Sequence, residues 1–263
     1  MIKPLVSVCC ITYNHVNYIK DALDGFLMQK TDFPFEICLG EDASNDGTRG
    51  ICVEYAKKYP DKIRLFLRSR DDVIKINGTA TGRYNFIETL KECKGKYIAL
   101  CEGDDYWTDP YKLQKQVDFL EANEEYSFLF GPANLYNEKT GKFSIRNQYS
   151  KTEVSKIDLK WILKKGGGFY PTPTLIFRRD VIAKFPNWFY LHSTGDYPLA
   201  IMAAITGKIG YIDDIMAVYR VHKNSLTNKS YEPKECTRIA KAKRDKNLLF
   251  TKSLFSLNEL LSD

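Results

Sequence analysis

Apolar runs and amphipathic segments take turns through the first half of the chain, and this alternation restricts the possible folds more than any other feature. Residues 6–11 form a continuous apolar run broken only by Ser7, as a strand buried on both faces requires. Asn14 is placed to cap a helix carrying Ile19, Leu23, Phe26 and Leu27 on one side. Residues 35–39 read as a second strand, followed by an Asp/Ser/Asn/Gly turn and a helix with Ile51 and Tyr55 one turn apart. Ile63–Leu67 is a third strand. Arg83–Glu92 is a helix with Phe86, Ile87 and Leu90 at core spacing. Residues 96–101 are a fourth strand, and Leu113, Val117 and Leu120 mark the helix after it. Strand–helix alternation of this kind predicts an α/β fold, a mostly parallel sheet flanked by helices.

From about residue 126 the rhythm breaks. Short strands are expected at 128–130, 174–177 and 216–221, with polar loops, Gly166-Gly167-Gly168 and Tyr170-Pro171-Thr172-Pro173 between them. The chain has 263 residues, enough for one large domain or two small ones, and no low-complexity linker divides it. One α/β domain is therefore expected over 1–233, with halves at about 1–125 and 126–233. A basic amphipathic helix is expected over 234–263. Net charge is +6, and the stretch from Lys234 to Lys252 alone carries seven Lys/Arg against Glu235 and Asp245. The rest is nearly neutral, which argues against a general nucleic-acid-binding surface. Seven cysteines, an odd number, form no CxxC pair. Cys9, Cys10, Cys38, Cys52 and Cys101 sit in apolar runs as small core residues, pointing to a reducing, cytoplasmic compartment. No apolar run approaches a membrane span, and the N-terminal residues lack a signal-peptide core.

Open α/β sheets bind ligands beyond the carboxyl ends of their strands. Two of the expected strands run into acids there: Glu41-Asp42 after the second, and Glu102-Gly103-Asp104-Asp105 after the fourth. Asp42 or Ser44 alone could be helix caps. Three carboxylates within four residues repel one another unless a cation or hydrogen-bond donors neutralise them. Oxygen ligands of this kind suit Mg²⁺ or Mn²⁺ beside a phosphorylated substrate. On spacing alone, a solvated acidic turn is an equal alternative.

Four motifs occur in order: Thr12-Tyr13-Asn14-His15, Glu41-Asp42 to Asp46-Gly47-Thr48, Gly82-Arg83-Tyr84-Asn85, and Glu102-Gly103-Asp104-Asp105-Tyr106-Trp107. Together with Gly195-Asp196 and Tyr219-Arg220-Val221-His222 they closely resemble the family 2 inverting glycosyltransferases of GT-A fold over roughly residues 4–226. The resemblance implies a Rossmann-like nucleotide half, an irregular acceptor half, and Mn²⁺ or Mg²⁺ as cofactor. It implies that Tyr13, preceded by Thr12, packs on the nucleotide base and that Asp42 accepts from the uracil N–H. Arg83 matches a nucleotide-side basic position. Asp104 and Asp105 match the pair contacting ribose and metal, with Glu102 at the motif's first position. Asp196 matches the base that deprotonates the acceptor hydroxyl, with Gly195 in place of the commoner Glu. As a helix cap, Asp196 would serve structure as well. His222 is implied as a diphosphate or metal contact. Arg220 or Lys223 is implied against leaving-group charge, and Thr172 near the donor sugar. His15 and His192 are assigned to the surface or the acceptor side. Trp107, Trp161 and Trp188 fit packing or sugar stacking.

The function implied is metal-dependent transfer of a sugar from a nucleotide donor, UDP-linked, to a hydroxyl of a glycan or lipid-linked acceptor, in surface polysaccharide biosynthesis. A nucleotidyltransferase would carry a Gly-rich loop after the first strand, where Thr12-Tyr13-Asn14-His15 has no glycine. A binding module without transfer activity would lack a base. The tail, with Arg238, Lys241, Lys243, Arg244 and Lys246 ahead of Leu248, Leu249 and Phe250, suits either docking on the domain or peripheral contact with an anionic membrane.

Overall fold

The structure is a computed structural model and describes residues 3–76, 78–191 and 194–223. The tail helix expected at 234–263 and His192 lie outside the described residues. The first half runs β1 (Val6–Thr12), α1 (Ile19–Leu27), β2 (Phe35–Glu41), α2 (Thr48–Lys58), β3 (Ile63–Leu67), a single 3₁₀ turn at Arg70–Asp72, the short strands β4 (Lys75–Ile76) and β5 (Thr79–Ala80), then α3 (Arg83–Glu92), β6 (Tyr97–Leu100), β7 (Tyr106–Trp107) and α4 (Lys112–Ala122). The second half adds β8 (Tyr126–Phe130), β9 (Ala133–Asn137), β10 (Lys142–Arg146), α5 (Lys151–Val154), α6 (Leu159–Lys165), β11 (Ile176–Arg178), α7 (Asp196–Thr206), β12 (Lys208–Tyr211) and β13 (Ala217–Val221).

Seven strands form the main sheet in the order β12-β8-β11-β6-β1-β2-β3. β1 lies between β6 and β2, parallel to both, and β3 extends the parallel set. β11 runs antiparallel to both β6 and β8. The sheet is thus mostly parallel, with one reversed strand inside it. Successive residues of a strand face opposite sides, so β1 and β6 feed two cores. Val6, Val8, Cys10, Tyr97 and Ala99 join the side covered by α1 and α4, while Cys9, Ile98 and Leu100 join α3 and α7. This double burial explains the unbroken apolar runs. All six described cysteines are buried thiols, as expected of small core residues.

Four differences from the sequence reading have local causes. Asn14 does not cap α1: it adopts a left-handed backbone (φ 55°), and the residue before the helix is Tyr18. The strand expected at 174–177 begins at Ile176, because Thr172–Thr174 closes into a 3₁₀ turn in which Thr174 Oγ1 donates to Pro171 O at 2.8 Å. The hairpin β9–β10 and the strand β12 were not foreseen, since β10 is mostly exposed and carries no apolar run. Trp107 is core: it is 2% exposed, packs edge-on against Phe26 and donates from Nε1 to Pro173 O at 2.8 Å. Trp161 and Trp188 are partly buried and pack on the other core.

A second sheet, β10-β9-β13-β7, decides how the site is assembled. Val218 of β13 pairs with Tyr106 of β7, immediately after the acidic turn, and with Asn134 of β9 on the other side. The end of the described chain is thereby laid against Asp104 and Asp105.

Candidate active site

Because β6, β1 and β2 are adjacent and parallel, their carboxyl ends converge. The turn after β1 and the turn after β2 interlock. Asn14 N donates to Ser44 Oγ at 2.9 Å, His15 N to Thr48 Oγ1 at 2.8 Å and Val16 N to Asp46 Oδ2 at 3.0 Å. Asn45 N returns a bond to Asn14 Oδ1 at 3.1 Å. The left-handed Asn14 and Ala43 (φ 58°) are what let the two chains turn toward each other, a conformation that non-glycine residues adopt only when their surroundings hold them there. Burial works against the Asp46 charge, but bonds from Thr48 and Val16 outweigh it and hold the carboxyl below its usual range.

One side of the site is built on Tyr13 and Asp42. Tyr13 is 40% exposed, and Asp42 is buried. Arg70, from the 3₁₀ turn after β3, bridges them: its guanidinium lies 4.1 Å over the Tyr13 ring and pairs with the Asp42 carboxylate. Burial raises the Asp42 carboxyl above its usual range despite Arg70. Arg70 was missed because one arginine in an exposed, mixed-charge loop gives no signal; only chain return places it here.

The other side is built on Asp104. His222 Nε2 lies 3.0 Å and His15 Nε2 3.8 Å from Asp104 Oδ2. One ligand atom from each of the three residues lies within 4.8 Å of the others. His15 was expected at the surface or acceptor side, and the structure moves it here. Burial opposes the Asp104 charge, yet the two imidazoles outweigh it and keep the carboxyl below its usual range. Burial also lowers His15, which favours the neutral, ligating form of the ring.

Asp105 is not part of this group. Its Oδ1 accepts the backbone N–H of Arg220 at 2.8 Å, so it latches β13 onto the acidic turn, in place of the metal contact expected from sequence. Burial pushes its carboxyl well up, with the Asp104 charge adding to the effect. Arg220 is likewise a clamp. Its guanidinium donates to Asp104 O at 2.9 Å, pairs with Asp21 and stacks 4.3 Å over Tyr106, where a diphosphate contact was expected. Lys223 is exposed beside His222, and Thr172 lies in the 3₁₀ turn before β11.

Asp196 opens α7 as its first residue, with Gly195 as the cap, so it is not itself the cap. Its Oδ1 is buried and has no hydrogen-bond partner, while its backbone O accepts from Tyr170 Oη at 2.5 Å. Glu102 is near enough to feel both Asp104 and Asp196. Burial first, then those two charges, push its carboxyl up to about 8, so it carries a proton at neutral pH. Arg83 is buried in the same region rather than beside Asp42. It donates to Phe189 O at 2.5 Å and to Thr194 O at 2.9 Å, and burial lowers it to about 10 against the pull of Asp196. A Cβ on Gly195 would meet Phe86 at 2.4 Å and Arg83 Nη1 at 2.8 Å, so the residue before Asp196 must be glycine while Arg83 is packed there.

The residues fit a divalent cation. Asp104 Oδ1 is buried without a hydrogen-bond partner, a cost that a metal ligand role removes.

The sequence model of Glycosyl transferase family 2 matches residues 7–185. An uncharacterized protein of Mycobacterium bovis is 35% identical over 232 residues, 86% of this chain and 61% of the relative. A Bacillus subtilis relative, provisionally named the teichuronic acid biosynthesis glycosyltransferase TuaG, is 33% identical over 127 residues, 48% of this chain and 46% of that protein. Among solved structures, Staphylococcus aureus TarS 1–349 in complex with UDP-GlcNAc superposes with a TM-score of 0.60 at 20% identity, covering 86% of this chain and 61% of that one. The mannosyltransferase PcManGT of Pyrobaculum calidifontis, in complex with GDP-Man and Mn²⁺, superposes with a TM-score of 0.58 at 19% identity, covering 87% and 60%. The architecture is that of the GT-A glycosyltransferases. The chain belongs to glycosyl transferase family 2 and spans 61% of the length of the mycobacterial relative.

Proposed function

We propose that the protein transfers a sugar from a UDP-linked donor to a hydroxyl of a glycan or lipid-linked acceptor, with inversion, in the building of a surface polysaccharide. The observation that carries this reading is Asp196: a buried carboxylate oxygen with no partner, close enough to Glu102 to shift it, as Asp104 also does. An acceptor hydroxyl is the kind of group that would satisfy it. The complexes of TarS with UDP-GlcNAc and UDP support the choice of nucleotide, and the name of TuaG supports a cell-surface glycan. The buried thiols suit a cytoplasmic setting. No helix among the described residues is long and apolar enough to cross a membrane.

In this reading Asp42 accepts the uracil N–H, a role open to an acceptor-only carboxylate, and Tyr13 presents its face to the base. Arg70 must leave at least one of these contacts for the base to enter. Asp104 and His222 would hold the divalent cation, Mn²⁺ or Mg²⁺, which would supply neutralisation of the leaving diphosphate. Asp196 takes the proton from the acceptor hydroxyl as its oxygen attacks the anomeric carbon from the face opposite the diphosphate. The C–O bond to the diphosphate breaks as the new glycosidic bond forms, and the configuration inverts. Protonated Glu102, which feels both the Asp104 and the Asp196 charge, adds no further negative charge to the acidic turn.

The test is Asp196→Asn, assayed against a panel of UDP-sugars and acceptors. It should bind UDP normally and lose transfer by about 10²–10⁴-fold, the range for a general base. NMR of the wild-type product should show an anomeric configuration opposite to the donor's. Near-normal transfer by the variant, or a retained configuration, rejects the mechanism.

A further inference from the structure

Three features of the His15 region carry an inference that no residue motif announced. First, the His15 backbone is fixed from below: the turn is pinned through Asn14, His15 and Val16 to Ser44, Thr48 and Asp46, three side chains spent on three consecutive amides. Thr48 is itself set by Asp46, whose Oδ1 accepts from Thr48 Oγ1 at 2.6 Å and from Thr48 N at 3.0 Å. Such support is what holds a ligating side chain at a set place. Second, the ring so held comes within 3.8 Å of Asp104 Oδ2, on which His222 also converges. Third, Asp104 Oδ1 is buried and lacks a hydrogen-bond partner, which is expensive unless something else binds it.

We propose that His15 is a third protein ligand of the cation, making the set two imidazoles and one carboxylate, and that this set selects Mn²⁺ over Mg²⁺. The inference rests on the proposed metal-assisted transfer for its context, but not for its test. Mg²⁺ and Mn²⁺ both take carboxylate, phosphate and water oxygens, but an imidazole nitrogen is a poorer ligand for Mg²⁺ than for a first-row transition ion such as Mn²⁺. Asp105, the second carboxylate that would have made the site oxygen-rich, is spent on the Arg220 amide, and His15 takes its place in the cluster. Metal preference is thus decided by which of two neighbouring acids faces inward and by a histidine from a different strand.

The experiment is Mn²⁺ binding to the full chain, with and without UDP, followed by EPR, with nitrogen couplings read by pulsed EPR and Mg²⁺ measured by competition. The wild type should show two coupled imidazole nitrogens. His15→Ala should show one, bind Mn²⁺ at least about tenfold more weakly, and change little toward Mg²⁺. His15→Asp restores a ligand but makes it oxygen, so its Mn²⁺/Mg²⁺ preference should fall while Mg²⁺ binding rises. Circular dichroism and the UDP affinity of each variant establish that the turn still folds. A single nitrogen in the wild type, equal losses toward both metals in His15→Ala, or no Mn²⁺ binding by wild type even with UDP at millimolar metal overturns the proposal. If the two-nitrogen signature is present but no UDP-sugar is turned over, the transfer reading fails and the metal inference stands.

Discussion

Asp42, buried, and Asp104, part-buried, are acids just beyond the carboxyl ends of strands that flank β1, yet their environments drive them in opposite directions. Asp42 has one cation, Arg70, and burial still raises its carboxyl. Asp104 has two imidazoles that overcome burial and lower it. The difference lies in what can be exchanged. Arg70 reaches Asp42 from an irregular turn after β3 and simultaneously covers Tyr13, so its contacts can be traded for those of a nucleobase. The imidazoles reach Asp104 from a pinned turn and from a strand locked by Asp105, so they form a standing cage for charge. In the proposed function, one corner is displaced by the base and the other is filled by the cation.

The largest effect should come from the cage. Asp104→Asn removes the charge shared by both histidines and should cut metal-supported transfer by more than about 100-fold, beyond what loss of a supporting group costs. Turnover measured against added Mn²⁺ checks this, and near-normal activity in the variant would dissolve the distinction between the two corners. At the exchangeable corner the loss should be smaller. Asp42→Ala should weaken UDP binding by about 1–3 kcal/mol, the scale of a charge-assisted hydrogen bond, while leaving Mn²⁺ affinity unchanged in calorimetry. Coupled losses of both ligands would mean that the corners are one unit.

The smallest effect is a shift in pH dependence. Asp42 is charged above its pKa, and UDP binding through its carboxylate is lost as pH falls through that value. Arg70 lowers the Asp42 pKa against burial, so Arg70→Met should raise it further and move the acid limb of UDP binding to higher pH. Fluorescence titration of UDP across pH 4–8 reads this directly (roughly the range in which a raised carboxylate titrates). An acid limb that moves down, or stays put, would show that Arg70 does not govern Asp42.

Much of the scaffold was legible because its signals are local. Apolar runs marked β1, β2, β3 and β6, of which β1, β2 and β6 are buried on both faces and the edge strand β3 only in part, and helical spacing set α3 and α4. The acids at the strand ends marked the site edge for the same reason: a carboxylate directly after a buried strand must face whatever lies beyond the sheet. What local pattern could not carry is partnership. His222 and Asp104 are 118 residues apart and meet only because β13 returns between β9 and β7. Asp104 and Asp105 look interchangeable in sequence, and their different uses follow from which one meets the Arg220 amide. His15 and Arg70 carry no periodic signal at all, and turns pinned from another part of the chain bring them to Asp104 and Asp42. A parallel sheet with acids along its carboxyl edge is written into local pattern, because apolar runs and strand-end positions are properties of short segments. Only the folded chain settles which acid two imidazoles face, which latches a strand and which pairs with an arginine. Those roles depend on distances of a few ångströms between residues far apart along the chain, which meet only when the sheet closes.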